Sequence, residues 1–93
     1  MAERLTDDQV RERLGSGEWQ RDGDTLVREL KFADFGEAIA FVNRVAEAAE
    51  AANHHPDIIV HGYNHVRLVL STHSAGGITE SDFALAGRLD ELA

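Results

Sequence analysis

Three histidines in the second half of the chain carry the side chains best suited to proton transfer at neutral pH. His54 and His55 are adjacent and are followed at once by Pro56, and His73 lies eighteen residues beyond His55. Imidazole is the side chain whose unperturbed pKa lies between 5 and 8, so it can serve there as an acid or as a base. If the fold brings the three rings to one point, they could move protons in both directions without a cofactor.

Each of these residues also has a purely structural interpretation. His54 and His55 could bond to the last carbonyl groups of a helix, and His73 could simply end a strand. Asp82, at the third position of a predicted helix, could serve only as a cap. A zinc site of three histidines is disfavoured, because neighbouring side chains in an extended segment point to opposite sides. We therefore expect no metal at these histidines.

Caps and apolar spacing predict three helices. The capping box Thr6–Gln9 begins a short helix that ends near Leu14. Asp34 caps the clearest helix, which runs to about residue 52 and has Asn53 as a candidate left-handed C-cap. The segment 79–82 caps the last helix. The core-facing residues predicted for the long helix are Phe35, Ile39, Val42, Val45, Ala46 and Ala49.

Four segments between the helices read as strands, over residues 19–21, 25–32, 58–61 and 65–72. Turn residues at 22–23 and 62–64 join them into two hairpins. The order α-β-β-α-β-β-α predicts one α+β domain over residues 1–93, a four-stranded antiparallel sheet with helices packed on one face. His61 and His65 flank the second turn and are expected to be solvated.

Hairpin geometry predicts that the histidines meet. If Tyr63-Asn64 is the turn, residue 57 faces residue 70 and His54 lies near His73. A bulge near Gly62 would shift this register by one residue. In either register His54 or His55 should come close to His73, at a helix C-terminus where the dipole favours a cation.

Composition excludes several classes of function. The chain is 43% hydrophobic and 28% charged, as an ordinary globular domain is. It has 17 acidic and 9 basic residues without a basic cluster, so we expect no direct nucleic-acid binding. The absence of cysteine excludes disulfides, thiolate catalysis and cysteine-ligated metals. No apolar run approaches 20 residues and residues 1–6 lack a secretory core, so we expect no membrane span and a cytoplasmic location.

The spacing of the candidate residues resembles the signature of the pterin-4a-carbinolamine dehydratase family over residues 6–92. The matching positions are Glu50, His54-His55-Pro56, Tyr63, Leu70-Ser71-Thr72-His73, Gly76-Gly77 and Thr79 to Asp82. Two features depart from the family pattern: Ile58 stands where many members have an aromatic residue, and one more residue separates Pro56 from Tyr63 than in the animal enzymes. We interpret the additional residue as a bulge that alters one pocket wall.

The resemblance implies a hydro-lyase that removes water from a 4a-hydroxytetrahydropterin to give quinonoid dihydropterin, without a metal or redox cofactor. It implies that His54, His55 and His73 form the acid–base and binding set. Within that set we expect His55 and His73 to transfer protons and His54 to hold the pterin, with the assignment of acid and base open. Asp82 would orient His73. The further residues expected to bind the substrate or support the site are Glu50, Ser71 and Thr72.

The resemblance also implies partners. Members of the family are dimers or tetramers, and the two open edges of a four-stranded sheet could pair between copies, so we expect a homodimer or homotetramer. A functional link to an aromatic amino-acid hydroxylase would follow from recycling of its pterin. The alternative is a non-catalytic interaction or assembly module, because animal relatives stabilise dimers of a transcription factor and other relatives assist assembly of a carbon-fixing enzyme. Retention of all three histidines favours catalysis.

Overall fold

The computed structural model describes residues 3–93, and its elements follow the predicted order. Three helices alternate with two β-hairpins: α1 (Asp7–Leu14), β1 (Gln20–Asp22), β2 (Thr25–Lys31), α2 (Phe35–Ala52), β3 (Asp57–His61), β4 (His65–Leu70) and α3 (Glu80–Leu92). Met1 and Ala2, which belong to the segment predicted to lack a secretory core, lie outside the described residues. No helix in the described part has both the length and the hydropathy that crossing a bilayer requires.

The predicted helix caps are confirmed. The Gln9 backbone N–H donates to the Thr6 hydroxyl, and the Thr6 N–H donates to the Gln9 side chain at 2.8 Å. The Asp34 carboxylate accepts the Glu37 N–H at 2.8 Å at the start of α2. Asn53 ends that helix in the left-handed region, with φ of 51°. Because caps satisfy backbone groups that have no partner within the helix, their side chains mark helix ends locally.

The four strands form one antiparallel sheet in the order β1-β2-β4-β3. Alternate side chains point to opposite faces, and the helices cover the face that carries the apolar set. The fully buried strand residues of that face are Leu26, Val66, Leu68 and Leu70. The other face carries charged and polar side chains, among them Glu29 and Arg67. The predicted α+β architecture is therefore confirmed.

The predicted inner face of α2 is only partly right. Its buried residues are Ala38, Phe41, Val45, Ala48 and Ala49, of which only the third and the last were predicted. Phe35, at the first position of the helix, is 55% exposed. The face of α2 that packs on the core is thus rotated from the predicted one. Phe41 lies on it, fully buried, with its ring 5.0 Å from the Phe32 ring just after β2.

The loop of the second hairpin is one residue longer than the predicted two-residue turn and starts one residue earlier, at Gly62. His61 pairs with His65, so the loop has three residues, and both Gly62 and Tyr63 have a φ of 56°. Asp57 consequently pairs with Val69 and not with residue 70, which is the one-residue shift that a bulge would give. If the same register is continued beyond the first residue of β3, residue 54 lies across from residue 72.

Candidate active site

His54 lies where α2 gives way to the chain leading into β3. The left-handed conformation of Asn53 reverses the chain direction, and the His54 N–H donates to the Ala49 carbonyl at 3.1 Å. The imidazole then points inward and is only 17% exposed. Its Nε2 lies 2.6 Å from Oδ1 of Asp82, which belongs to the first turn of α3.

Asp82 is fully buried and both of its oxygens are hydrogen-bonded. Oδ1 bonds to His54, while Oδ2 accepts the Thr72 hydroxyl at 2.8 Å and the Thr79 backbone N–H at 2.9 Å. The Thr79 N–H contact also closes the capping box of α3, so one carboxylate both caps the helix and binds the histidine. A buried carboxylate needs such partners, because an unpaired buried charge is strongly unfavourable.

The hydroxyl groups around Asp82 form a directed chain of hydrogen bonds. An ionised carboxylate only accepts, so the single hydroxyl hydrogen of Thr72 must point at Oδ2. The Thr79 hydroxyl lies 2.8 Å from the Thr72 oxygen and therefore donates to it. The Thr79 oxygen in turn accepts the Ser81 N–H at 3.2 Å. This series of hydrogen bonds holds the Asp82 carboxylate in one orientation.

The same argument sets the tautomer of His54. Because Asp82 accepts, the hydrogen of the neutral ring lies on Nε2 and the lone pair lies on Nδ1. Nδ1 can therefore take a proton from a bound molecule, and the buried carboxylate stabilises the imidazolium that results. A histidine held in this way suits general-base chemistry.

His55 faces the other way from His54, as alternation along an extended chain requires. Its Nε2 lies 2.7 Å from Oε1 of Glu50, in the last turn of α2. Both side chains are well exposed, His55 by 58% and Glu50 by 77%. Glu50, predicted to support the site, thus contacts His55 at an exposed position.

His73 begins a short 3-10 turn over residues 73–75 at the end of the second hairpin. The turn is closed by the pairing of Thr72 with Gly77, and Gly76 takes the left-handed conformation with a φ of 71°. His73 is exposed and directly follows Thr72, so its backbone starts one residue from the Asp82 network. Ser71, on the other side of Thr72, is half-buried.

Two expected contacts are corrected by this geometry. Asp82 orients His54 and not His73, because the three-residue turn sets Thr72 across from His54. Thr72 does not present its hydroxyl to a ligand, since that group is bonded to Asp82 and Thr79. Its N–H and carbonyl are bonded to Gly77. Thr72 is therefore a positioning residue for the carboxylate.

A shallow groove of about 360 Å³ runs between α2 and α3 beside His54. Its lining is mainly apolar and consists of Ala48, Ala51, Ala52, His54, Ser81, Ala84, Leu85 and Arg88. Neither His55 nor His73 lines it. His54 consequently has one open approach shown by the structure, from this groove.

Comparison with known proteins places this chain in a family. The model of the family described as pterin 4 alpha carbinolamine dehydratase matches residues 3–92. A Thermomicrobium roseum protein that carries this family's name is 64% identical over 75 residues, which are 81% of this chain and 80% of the relative. A Picosynechococcus protein of the same name is 50% identical and covers 99% of this chain and 100% of its own.

Solved structures agree with this placement. A Brucella melitensis protein described as a transcriptional coactivator/pterin dehydratase superposes with a TM-score of 0.90 at 35% identity, over 97% of this chain and 98% of that one. A pterin dehydratase-like protein described as a RuBisCO assembly factor in the alpha-carboxysome superposes with a TM-score of 0.69 at 28% identity, over 83% and 90% of the two chains. The arrangement of helices and strands is thus shared with both.

Proposed function

The chain belongs to the pterin-4a-carbinolamine dehydratase family, an enzyme family of hydro-lyases, and we propose that it dehydrates a 4a-hydroxytetrahydropterin by histidine acid–base catalysis. The observation that carries the proposal is the pairing of His54 with the buried Asp82 at 2.6 Å. That pairing leaves one imidazole nitrogen of His54, Nδ1, available for proton transfer. The product is quinonoid dihydropterin, which a reductase would return to the cofactor of an aromatic amino-acid hydroxylase.

The reaction requires two proton movements. Electron density from N5 of the pterin expels the hydroxyl group at C4a, the leaving oxygen takes a proton from an acid, and the N5 proton passes to a base. General acid–base catalysis of this type contributes about 10²–10⁴-fold per group. One water molecule leaves and the C4a–N5 bond becomes double, so no net oxidation or reduction occurs.

The geometry favours His54 as the base. Its Nδ1 carries the lone pair, and Asp82 compensates the positive charge that appears on the ring once N5 has given up its proton. This proposal exchanges the roles expected for the adjacent histidines, since His55 is paired with Glu50 and open to the surface. We assign His55 to contact with the pterin ring and His73 to protonation of the leaving hydroxyl. Ser71, half-buried beside Thr72, keeps its predicted role as a pterin contact.

A direct assay tests the proposal. Purified full-length protein should accelerate dehydration of synthetic 4a-hydroxytetrahydropterin, followed by ultraviolet absorbance, well above the spontaneous rate. The variants His55→Ala and His73→Ala should each lower kcat/KM at least about tenfold, since each loses a group that binds the pterin or protonates it. Folding is checked by circular dichroism. Wild-type rates in both variants would contradict the assignment of these residues.

The groove between α2 and α3 offers a test of where the pterin lies. We propose that the pterin binds outside this groove, because neither His55 nor His73 lines it. Ala84, an exposed α3 residue that lines the groove, can be replaced by leucine to fill it without loss of helix propensity. Ala84→Leu should change KM by less than about twofold. A rise in KM of tenfold or more would place the substrate in the groove.

A second candidate function is an interaction or assembly module without catalysis. The similarity to the RuBisCO assembly factor favours this candidate, at a TM-score of 0.69. The two hypotheses predict different rates in the direct assay, because an assembly module would leave dehydration at its spontaneous rate. The pairing of His54 with Asp82 is the reason to prefer the enzyme, since an assembly surface has no need of a buried carboxylate bonded to a histidine.

Association of copies through sheet edges stays part of the proposal. β1 and β3 form the two edges of the sheet, and each has unpaired backbone groups on its outer side within the described chain. A homodimer or homotetramer would cover such edges. Light scattering coupled to size-exclusion chromatography gives the mass directly. The cytoplasmic location likewise stays a prediction from the sequence.

A further inference from the structure

We propose that Glu29, His61 and His65 form a binding site for a divalent transition-metal ion on the face of the sheet that the helices leave open. Each residue offers one ligand atom, and these three atoms lie within 4.8 Å of one another. The cluster plays no part in the dehydration proposed above. His61 and His65 flank the turn at exposed and half-buried positions, and the proposal adds a ligand role to that expected placement.

Three adjacent strands supply the ligands. Glu29 lies on β2, His65 begins β4 and His61 ends β3, and β4 lies between the other two strands. His61 and His65 are directly paired, and their rings stack with centroids 5.1 Å apart. Glu29 pairs with Arg67, two residues from His65, so its side chain reaches the histidines diagonally across the same face. Its Oε1 lies 2.8 Å from Nε2 of His61.

The hairpin turn holds the two histidines in register. Asn64 is buried and bonds to the end of β2 in both directions: its side chain donates to the Phe32 carbonyl at 2.9 Å, and the Phe32 N–H donates to its carbonyl at 2.8 Å. A Cβ added at Gly62 would lie 3.3 Å from Cδ2 of His65, so glycine leaves room for that ring. The backbone beneath the ligands is therefore fixed before any ion binds.

The donor set selects the class of ion. Two imidazole nitrogens and one carboxylate oxygen suit Zn²⁺, Co²⁺, Ni²⁺ or Cu²⁺ and leave at least one position for water. Ligand atoms around a tetrahedral zinc at about 2.1 Å lie about 3.4 Å apart, so rotation of exposed side chains has to close the present separation. His61 and Glu29 are 48% and 45% exposed, which allows that rotation.

Neighbouring charges set the strength of the site. Arg67 Nε lies 3.9 Å from Oε2 of Glu29, and Lys31 pairs with His65 across the ladder. Both cations oppose a bound dication, whereas the net charge of −8 attracts one. We therefore expect micromolar affinity and not the tight binding of a buried structural zinc.

The cluster is separate from the candidate active site. It lies at the turn of the second hairpin, whereas His54 precedes the hairpin and His73 follows it. β4 has six residues and rises about 3.3 Å per residue, so its two ends are roughly 17 Å apart. The metal proposal can therefore fail without affecting the proposed dehydration, and the reverse also holds.

Zinc titration of full-length protein stripped with a chelator tests the proposal. Calorimetry should give one Zn²⁺ per chain, and Co²⁺ should produce visible absorption bands of a nitrogen- and oxygen-ligated ion. His61→Ala and His65→Ala should each weaken binding at least about tenfold, and Glu29→Gln should weaken it while keeping the side-chain shape. His55→Ala removes an equally exposed histidine outside the cluster and should leave the zinc affinity unchanged.

A second measurement assigns the ligands without any substitution. In ¹⁵N–¹H spectra of the wild-type protein, the imidazole signals of His61 and His65 should shift when zinc is added, and those of His54, His55 and His73 should not. No zinc binding by the wild-type chain overturns the proposal. Undiminished affinity in a variant with both His61→Ala and His65→Ala overturns it as well, and loss of binding in His55→Ala alone would place the ion at the catalytic histidines.

Discussion

Replacing His54 with alanine is expected to lower kcat for dehydration of the pterin carbinolamine about 100-fold or more. The substitution removes the imidazole whose Nδ1 is proposed to take the N5 proton. It also leaves the buried Asp82 without a bond on Oδ1. Because the pterin ring is proposed to contact His55, KM should change far less than kcat.

Matched variants separate this effect from a general effect of losing a histidine. His61→Ala removes a histidine that is exposed and paired with a surface glutamate, and it should retain the wild-type kcat. His55→Ala should act mainly on KM, since its ring lies in the open position beside Glu50. Steady-state kinetics on folded protein distinguishes these cases. If His54→Ala keeps more than half of the wild-type kcat, His54 is not the base.

Local chemistry made the element boundaries predictable. The capping side chains of Thr6, Asp34 and Thr79 satisfy backbone groups within their own first turns, so each helix start can be inferred from a few neighbouring residues. Asn53 ends α2 for the same reason, because asparagine tolerates the left-handed conformation. The alternation of β2 and β4 likewise sufficed to predict which strand face is covered by helices.

Tertiary packing decided what the sequence pattern left undetermined. Several faces of α2 are apolar, and the choice between Phe35 and Phe41 depends on where the sheet lies. The register of the second hairpin depends on the length of its loop. Gly62 and Tyr63 both adopt a positive φ, and the loop has three residues instead of two. Tyr63 gives no local signal for that conformation, which is uncommon for a bulky side chain.

The residue that Asp82 contacts depends on that register, so it could not be predicted without the register. Its capping role was visible in the spacing from Thr79, but a cap uses only one carboxylate oxygen. The other oxygen bonds to whichever residue the hairpin brings across from Thr72. The predicted register sets residue 55 across from Thr72, and the one-residue shift sets His54 there instead. The convergence of His55 and His73 with His54 stays a prediction.

Asp82→Asn is expected to lower kcat about 100-fold while the protein stays folded. An amide oxygen can still accept the Thr72 hydroxyl and the Thr79 N–H, so the α3 cap is retained. The amide NH₂ then faces Nε2 of His54 and donates to it, which forces the ring hydrogen onto Nδ1. His54 in that tautomer has no lone pair toward the substrate, and the imidazolium loses its counter-charge.

Two comparisons make this a test of positioning and not of stability. Asp82→Ala leaves the Thr72 hydroxyl and the Thr79 N–H without their acceptor and should lower the free energy of unfolding by about 3 kcal/mol, measured by urea denaturation. Thr72→Val should lower it by about 1–2 kcal/mol and yet keep the His54 tautomer, so its kcat should fall much less than that of Asp82→Asn. The ¹⁵N shifts of His54 report the tautomer directly. An unchanged Nε2–H tautomer in Asp82→Asn, together with wild-type kcat, would show that Asp82 serves α3 alone.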